Sequence, residues 1–176
     1  MKLYFIKIIL VFLPLFALSG DTWKVKSSSV TFKIKNAGLT VDGSFSGLTA
    51  DIKFNPLKPE EASIKASISA KSINTGTDMR DNHLRKPEYF DVEKFPSIAL
   101  QSVKIGKTGP ITFNGTFKLT IKGITKEITF PFTFIKIPEK TEFKGNFTIN
   151  RRDYGVGGSS ITMADELTVF VTVQVE

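Results

Sequence analysis

The one histidine of the chain, His83, lies in Arg80-Asp81-Asn82-His83-Leu84-Arg85, where a carboxylate and two guanidinium groups flank an imidazole. Imidazole beside carboxylate is the material of acid–base chemistry. Catalysis needs more: a nucleophile or second group, held in place by a third. None is supplied. Gly43-Ser44-Phe45-Ser46-Gly47 has phenylalanine where a nucleophile elbow requires serine. No H-E-x-x-H, P-loop or G-x-G-x-x-G occurs, and Gly155-Val156-Gly157-Gly158 reads as a turn. With 0 cysteines and 1 histidine, disulfides, thiolate metal sites and cysteine catalysis are excluded. The expectation is a protein without catalytic residues, metal site or cofactor. His83 is then either a structural imidazole where a helix meets the rest of the fold, or a group at a cavity mouth. Arg80 reads equally as a contact for a polar or phosphate headgroup and as an ion-pair partner. Arg85 reads as an ion-pair partner of Asp78, Asp81, Glu88 or Asp91.

The elements that carry these groups are set by a period of two. Ile111, Phe113, Gly115, Phe117, Leu119 and Ile121 alternate with Thr112, Asn114, Thr116, Lys118 and Thr120. Ala62 to Ala70, Phe143 to Ile149 and Leu167 to Val175 do the same, as does Ile128 to Phe134. Such runs are strands with one apolar and one polar face. The spans are 22–35, 41–54, 61–71, 97–105, 110–122, 124–136, 141–150 and 166–175. Half-buried strands joined by short turns predict an all-β fold, an antiparallel sheet closed into a barrel or split into a sandwich. Pro131 predicts a bulge or an edge position. Asn74 to Pro96 breaks the alternation. Thr77 can cap a short helix that Pro87 stops, with Met79 and Leu84 as its apolar stripe. A connection that long inside a compact β domain points to function.

The first residues are a separate matter. MKLYFIKIILVFLPLFALSG has a basic start, a short apolar run interrupted by Pro14, and an A-x-S site at Ala17 and Ser19. This predicts a secretory signal over 1–19 and one domain over 20–176, located in the periplasm or secreted. Removal of Lys2 and Lys7 lowers the net charge from +7 to +5. The remaining lysines are scattered over polar strand faces, so no nucleic-acid surface is expected.

The apolar face should point inward. A lipid-facing barrel carries aromatic girdles, whereas this chain has 16 Phe against 1 Trp and 3 Tyr. No stable membrane insertion is expected. An eight-stranded barrel is wide enough to be filled or to hold one slim ligand. Ala62, Ala66, Ala70, Gly115 and Gly145 on apolar faces leave room, or alternate with large residues to fit a taper; both readings stand. A strand such as 111–121 spans about 36 Å, a length that suits a long acyl or isoprenoid chain.

The central segment carries a resemblance. Thr75-Gly76, Arg80-Asp81-Asn82-His83-Leu84-Arg85, Tyr89-Phe90-Asp91, Phe95-Pro96 and Ser102 resemble the YceI-like family. Gly43-Ser44-Phe45, the run Gly115 to Lys126, and Arg151-Arg152-Asp153-Tyr154-Gly155 are similar to it as well. Asn36, Leu100 and Glu127 depart from its pattern. The resemblance implies an eight-stranded antiparallel lipocalin-like barrel with a short helical insertion around residues 77–90. It implies a binding protein for a polyisoprenoid, quinone-like or other long-chain lipid, held in an apolar bore for sequestration or carriage. The residues expected to bind are Phe32, Phe45, Ala66, Arg80, Asp81, His83, Leu84, Phe90, Phe95, Phe113 and Phe117. A dimer is compatible with this and not required by it. Two rivals stay open: a filled barrel acting as a stress-response or interaction module, and an acyl-ester hydrolase.

Overall fold

A computed structural model describes residues 21–176, so the predicted signal over 1–19 lies outside the described residues. Ten strands form one antiparallel sheet: β1 (Thr22–Trp23), β2 (Val25–Asn36), β3 (Leu39–Phe45), β4 (Thr49–Lys53), β5 (Ser63–Ser69), β6 (Ser97–Lys107), β7 (Thr112–Ile121), β8 (Ile124–Ile137), β9 (Lys140–Asn150) and β10 (Met163–Val175). One helix, α1 (Asp78–Leu84), lies in the long connection between β5 and β6. The sheet order is β1-β4-β5-β6-β7-β8-β9-β10-β2-β3.

The count of eight strands is corrected to ten, and the reason is a phase slip. The single spans predicted over 22–35 and 41–54 are each divided, into β1 and β2 and into β3 and β4. The apolar side of the first is odd-numbered at Trp23 and Val25 and even-numbered at Val30, Phe32 and Ile34. The second goes from Val41 and Phe45 to Leu48, Ala50 and Ile52. Each strand therefore holds one extra residue in the period-two pattern, as a β-bulge does. The β2–β10 ladder shows it as a register shift between Ser27↔Gln174 and Val25↔Val175. Both insertions fall opposite each other, so the alignment on either side is the same: Trp23↔Ile52 in β1–β4 and Val30↔Phe45 in β2–β3 lie on one antiparallel register. Between them no ladder joins the facing segments, and the sheet curls on itself with a gap in this wall. Backbone amides of Lys26–Ser29 and Gly47–Asp51 that face the gap should exchange with solvent at least about a hundredfold faster than those of β7. Amide exchange read by NMR checks this; equal protection on both sides would mean the wall is sealed.

Pro131 does not bulge β8. The β7–β8 ladder runs through it as Asn114↔Pro131, and the β8–β9 ladder stops one residue away, at Phe132↔Gly145. The missing N–H falls where no bond is asked of it.

Phenylalanine closes one end of the curled sheet. Phe54, fully buried, makes edge-to-face contacts with Phe113, Phe134 and Phe143 at ring separations of 5.1, 5.0 and 5.2 Å. Trp23 donates its indole N–H to the Phe54 carbonyl at 3.0 Å. Each such aromatic pair contributes roughly 0.5–1.5 kcal/mol beyond its buried area. A second cluster of Leu119, Ile121, Ile149, Tyr154 and Val156 packs toward the opposite end. For Gly115 and Gly145 the second of the two readings holds: they are seats for rings. A Cβ on Gly115 would stand 2.3 Å from the Phe117 ring, and one on Gly145 3.2 Å from the Phe130 ring. Glycine lets the aromatic side chains lie flat against the backbone.

Candidate ligand-binding cavity

Between the two clusters the inner face of the sheet encloses a cavity of about 260 Å³. A dry apolar cavity of 150 Å³ already admits benzene, so the bore is not filled. Its floor is Phe117, Phe130, Phe132 and Phe143, and its sides include Ile52, Ile64, Ile68, Leu100 and Val171. Part of the wall is made by small residues: Ala50 and Ala66 face one another across the β4–β5 ladder, and Ala66 stands opposite Leu100 of β6. The alternation of β5 brings Ile64, Ala66 and Ile68 to the same face.

The connection over 74–96 covers one end. It is tied to β3 by the Ser44↔Asn74 bridge, and Phe90 meets Phe45 edge-on at 5.6 Å. Helix α1 is shorter than predicted, and Thr77 stands at its N-cap position without a side-chain capping bond. Asp81 takes over the local bonding. Its carboxylate accepts the Thr75 N–H at 2.9 Å and the Thr75 hydroxyl. Arg80 donates to the Thr75 hydroxyl oxygen at 2.6 Å and to the Thr75 carbonyl. Of the predicted apolar stripe, Leu84 reaches the cavity, whereas Met79 is 83% exposed.

Seven of the eleven expected binding residues line the cavity: Phe32, Phe45, Ala66, Arg80, Leu84, Phe90 and Phe117. The other four do not. Asp81 is buried behind Thr75. His83 is exposed on the outer side of α1, edge-on to the Tyr89 ring at 4.9 Å. Phe95 packs over Gly123. Phe113 is fully buried in the floor, beneath the cavity rather than on it. Arg85 makes no ion pair among the described residues. It donates to the carbonyls of Lys71 and Ile73, both at 3.0 Å, and to Asn82. It fastens α1 to the end of β5.

Lining residues that were not anticipated include Asn36, Arg151 and Tyr154. Asn36 ends β2, Tyr154 sits in the single turn Arg151–Tyr154 after β9, and Arg151 belongs to the same turn. Tyr154 is 2% exposed. Burial raises its hydroxyl above the usual tyrosine value, and the nearby Asp153 charge adds to the effect, so the phenol keeps its proton. The signal lay in Arg151-Arg152-Asp153-Tyr154-Gly155: Gly155, in the left-handed region at φ 64°, ends the turn and fixes which way the preceding aromatic faces.

Among the described residues no group of three His, Cys, Asp or Glu side chains could hold a metal ion, and no helix is long and apolar enough to cross a membrane.

Comparison with known proteins agrees with this architecture. The family model of the YceI-like domain matches residues 22–175. A UPF0312 protein of Pseudomonas putida is 32% identical over 111 residues, covering 60% of this chain and 58% of the relative. One of Azotobacter vinelandii is 26% identical over 123 residues, covering 66% and 64%. The matched region thus spans under two thirds of the length of these relatives. Among solved structures, BcnA of Burkholderia cenocepacia superposes with a TM-score of 0.80 at 27% identity, over 85% of this chain and 96% of that one. The YCEI protein of Campylobacter jejuni gives 0.69 at 29%, over 76% and 83%. A polyisoprenoid binding domain from Saccharophagus degradans gives 0.71 over 88% and 97%; at 14% identity it supports the fold alone. The all-β sheet, the cavity at its centre and the match over nearly every described residue lead to one assignment: this chain belongs to the YceI-like domain family.

Proposed function

We propose that the protein is a non-catalytic carrier that sequesters a long-chain lipid, of isoprenoid or similar type, in its central cavity. The observation that carries this reading is the cavity itself: about 260 Å³ of space walled by Phe, Ile, Leu, Val and Ala in a sheet whose other apolar residues are packed. Removing a long apolar chain from water contributes about 25 cal/mol per Å² buried. An apolar bore supplies that contact and asks for no reaction. The exposed, unpaired position of His83 speaks against the hydrolase rival.

Native mass spectrometry of protein purified from its own compartment, followed by solvent extraction, tests the proposal. A co-purifying long-chain species, and saturable uptake of geranylgeraniol by the delipidated protein, are the expected results. A protein that arrives empty and takes up no chain would return the reading to the interaction module.

The carrier reading includes export. The basic start and A-x-S site place cleavage after Ser19 or Gly20. N-terminal sequencing of the protein from the periplasm or medium should begin at Gly20 or Asp21; a chain still carrying Lys2 would refute export by cleavage.

A further inference from the structure

The wall of the cavity thins at one place. Leu48 and Ala50 line the bore, and they also line a groove at the surface, framed by Lys26, Ser27, Ser28, Gly47 and Thr49. These five framing residues are all exposed. A single layer of side chains thus separates the bore from the exterior. The groove lies on the gap between β2 and β4, where no ladder joins the facing segments among the described residues.

Burial along β2 agrees. Neighbouring residues of a strand point to opposite faces, and cross-strand partners share one. Ser28 stands opposite Val173 of β10, which is buried and lines the cavity. Ser28 therefore faces the bore side, in phase with Val30 and Phe32, yet it is exposed. So are Lys26, Ser27 and Ser29, and both faces of the strand meet solvent there. Across the gap Gly47 is exposed in the left-handed region at φ 74°, and a Cβ on it would meet nothing within 4 Å. Ser27-Ser28-Ser29 on one side and Ser46-Gly47 on the other leave no large side chain to plug the gap.

The two ends of the bore are fastened more firmly. Phe54, Phe113, Phe134 and Phe143 interlock at one. At the other, two N–H···O bonds of 2.8 and 3.0 Å join Ser44 to Asn74, Arg85 donates to the carbonyls of Lys71 and Ile73, and Phe90 packs on Phe45. A chain entering at either end has to displace these contacts, whereas parting β2 from β4 breaks no ladder bond. We infer that the gap between Lys26–Ser29 and Gly47–Ala50 is the port through which a long chain enters and leaves the cavity, sliding past Leu48 and Ala50. This rests on the carrier reading above and adds the route.

Because the chain has no cysteine, the gap can be clamped in the folded protein. On the register shared by Trp23↔Ile52 and Val30↔Phe45, Lys26 falls opposite Thr49, and both are exposed. Lys26→Cys with Thr49→Cys is joined by a short bismaleimide; the same variant capped with N-ethylmaleimide is the unclamped control. Lys71→Cys with Asn82→Cys, joined in the same way, instead clamps α1 to the end of β5. Trp23, the one tryptophan, borders the gap. Stopped-flow quenching of its fluorescence by a dibrominated fatty alcohol follows loading, and displacement by geranylgeraniol follows release. The clamp across the gap should slow loading and release together by at least about tenfold while geranylgeraniol affinity stays within about twofold, because a port sets rates and leaves the bound state alone. The α1 clamp should leave both rates within about twofold of wild type. Full loading speed with the gap clamped, or an affinity lost in step with the rate, overturns the port. Slow loading with the α1 clamp alone moves entry to the covered end and overturns it as well. Uptake of neither alcohol by the wild type and the unclamped control brings down the carrier reading itself, and the port with it.

Discussion

Ala66→Phe should abolish most of the affinity for a long-chain ligand and leave the ligand-free protein nearly as stable as before. Ala66 sits in the middle of β5 between Ile64 and Ile68, on the inner face, opposite Ala50 on one side and Leu100 on the other. Insertion of a ring into a packed core costs roughly 1–3 kcal/mol, because neighbours must leave their rotamers. Here the ring would enter space the cavity already provides. It would find Phe and Ile surfaces to touch and would occupy the volume a chain needs. The expected result is a melting temperature within about 3 °C of wild type and at least about a tenfold loss in affinity for geranylgeraniol. Thermal melts of delipidated protein beside titrations with that alcohol give both numbers. A strongly destabilised variant whose parent takes up no chain would show the small residues to be packing spacers, and the carrier reading would fall.

The parts of this design that could be read in the sequence are those governed by one rule at a time. β7 is the plainest case: Phe113, Gly115, Phe117, Leu119 and Ile121 face inward as their alternation requires. The seam between β2 and β4 was also written in the sequence, as a change of phase from Trp23 and Val25 to Val30 and Phe32 through Lys26-Ser27-Ser28-Ser29. It passed as one strand because only two apolar residues precede the slip, too few to define a period. The connection over 74–96 follows no period at all. Its motif announced importance, but whether a side chain faces the cavity or solvent there depends on tertiary contacts. Thus Arg80 and Leu84 reach the bore, while His83 points out beside Tyr89. The small inner residues show a further limit. Ala66 and Gly115 look alike in a pattern, yet one borders open space and the other lies under the Phe117 ring. Rotamers of neighbouring aromatics decide between these outcomes, and no alternation encodes them.

Arg151→Ala should have the largest effect on stability, because a single guanidinium holds together the segment that returns from β9 to β10. Arg151 is 4% exposed and makes four kinds of contact at once. Its Nε donates to the Ala164 carbonyl at 2.9 Å, one terminal nitrogen reaches the carbonyls of Val156 and Gly158, both at 2.9 Å, and the other meets Asp165 at 2.8 Å. The loop between Gly155 and Thr162 has no strand ladder of its own, so these bonds set its path. Truncation leaves several carbonyls and one carboxylate without their donor at once. Breaking a buried pair in this way costs about 3–5 kcal/mol. For a domain of this size each kcal/mol corresponds to about 2–4 °C, so a fall in melting temperature on the order of 10 °C follows. Arg151→Lys keeps the charge but replaces the planar fork by a point donor that cannot reach three directions, and should lose nearly as much. Asp165→Asn should cost much less, since that carboxylate is half-exposed and shared with Arg152. Melts of the three variants establish the order. An Arg151→Ala protein that melts within 2–3 °C of wild type would show that the loop is held by its own backbone. Tyr154 shares the turn with Arg151, so the group that anchors the loop also sets where the Tyr154 ring packs among Leu119, Ile121 and Ile149.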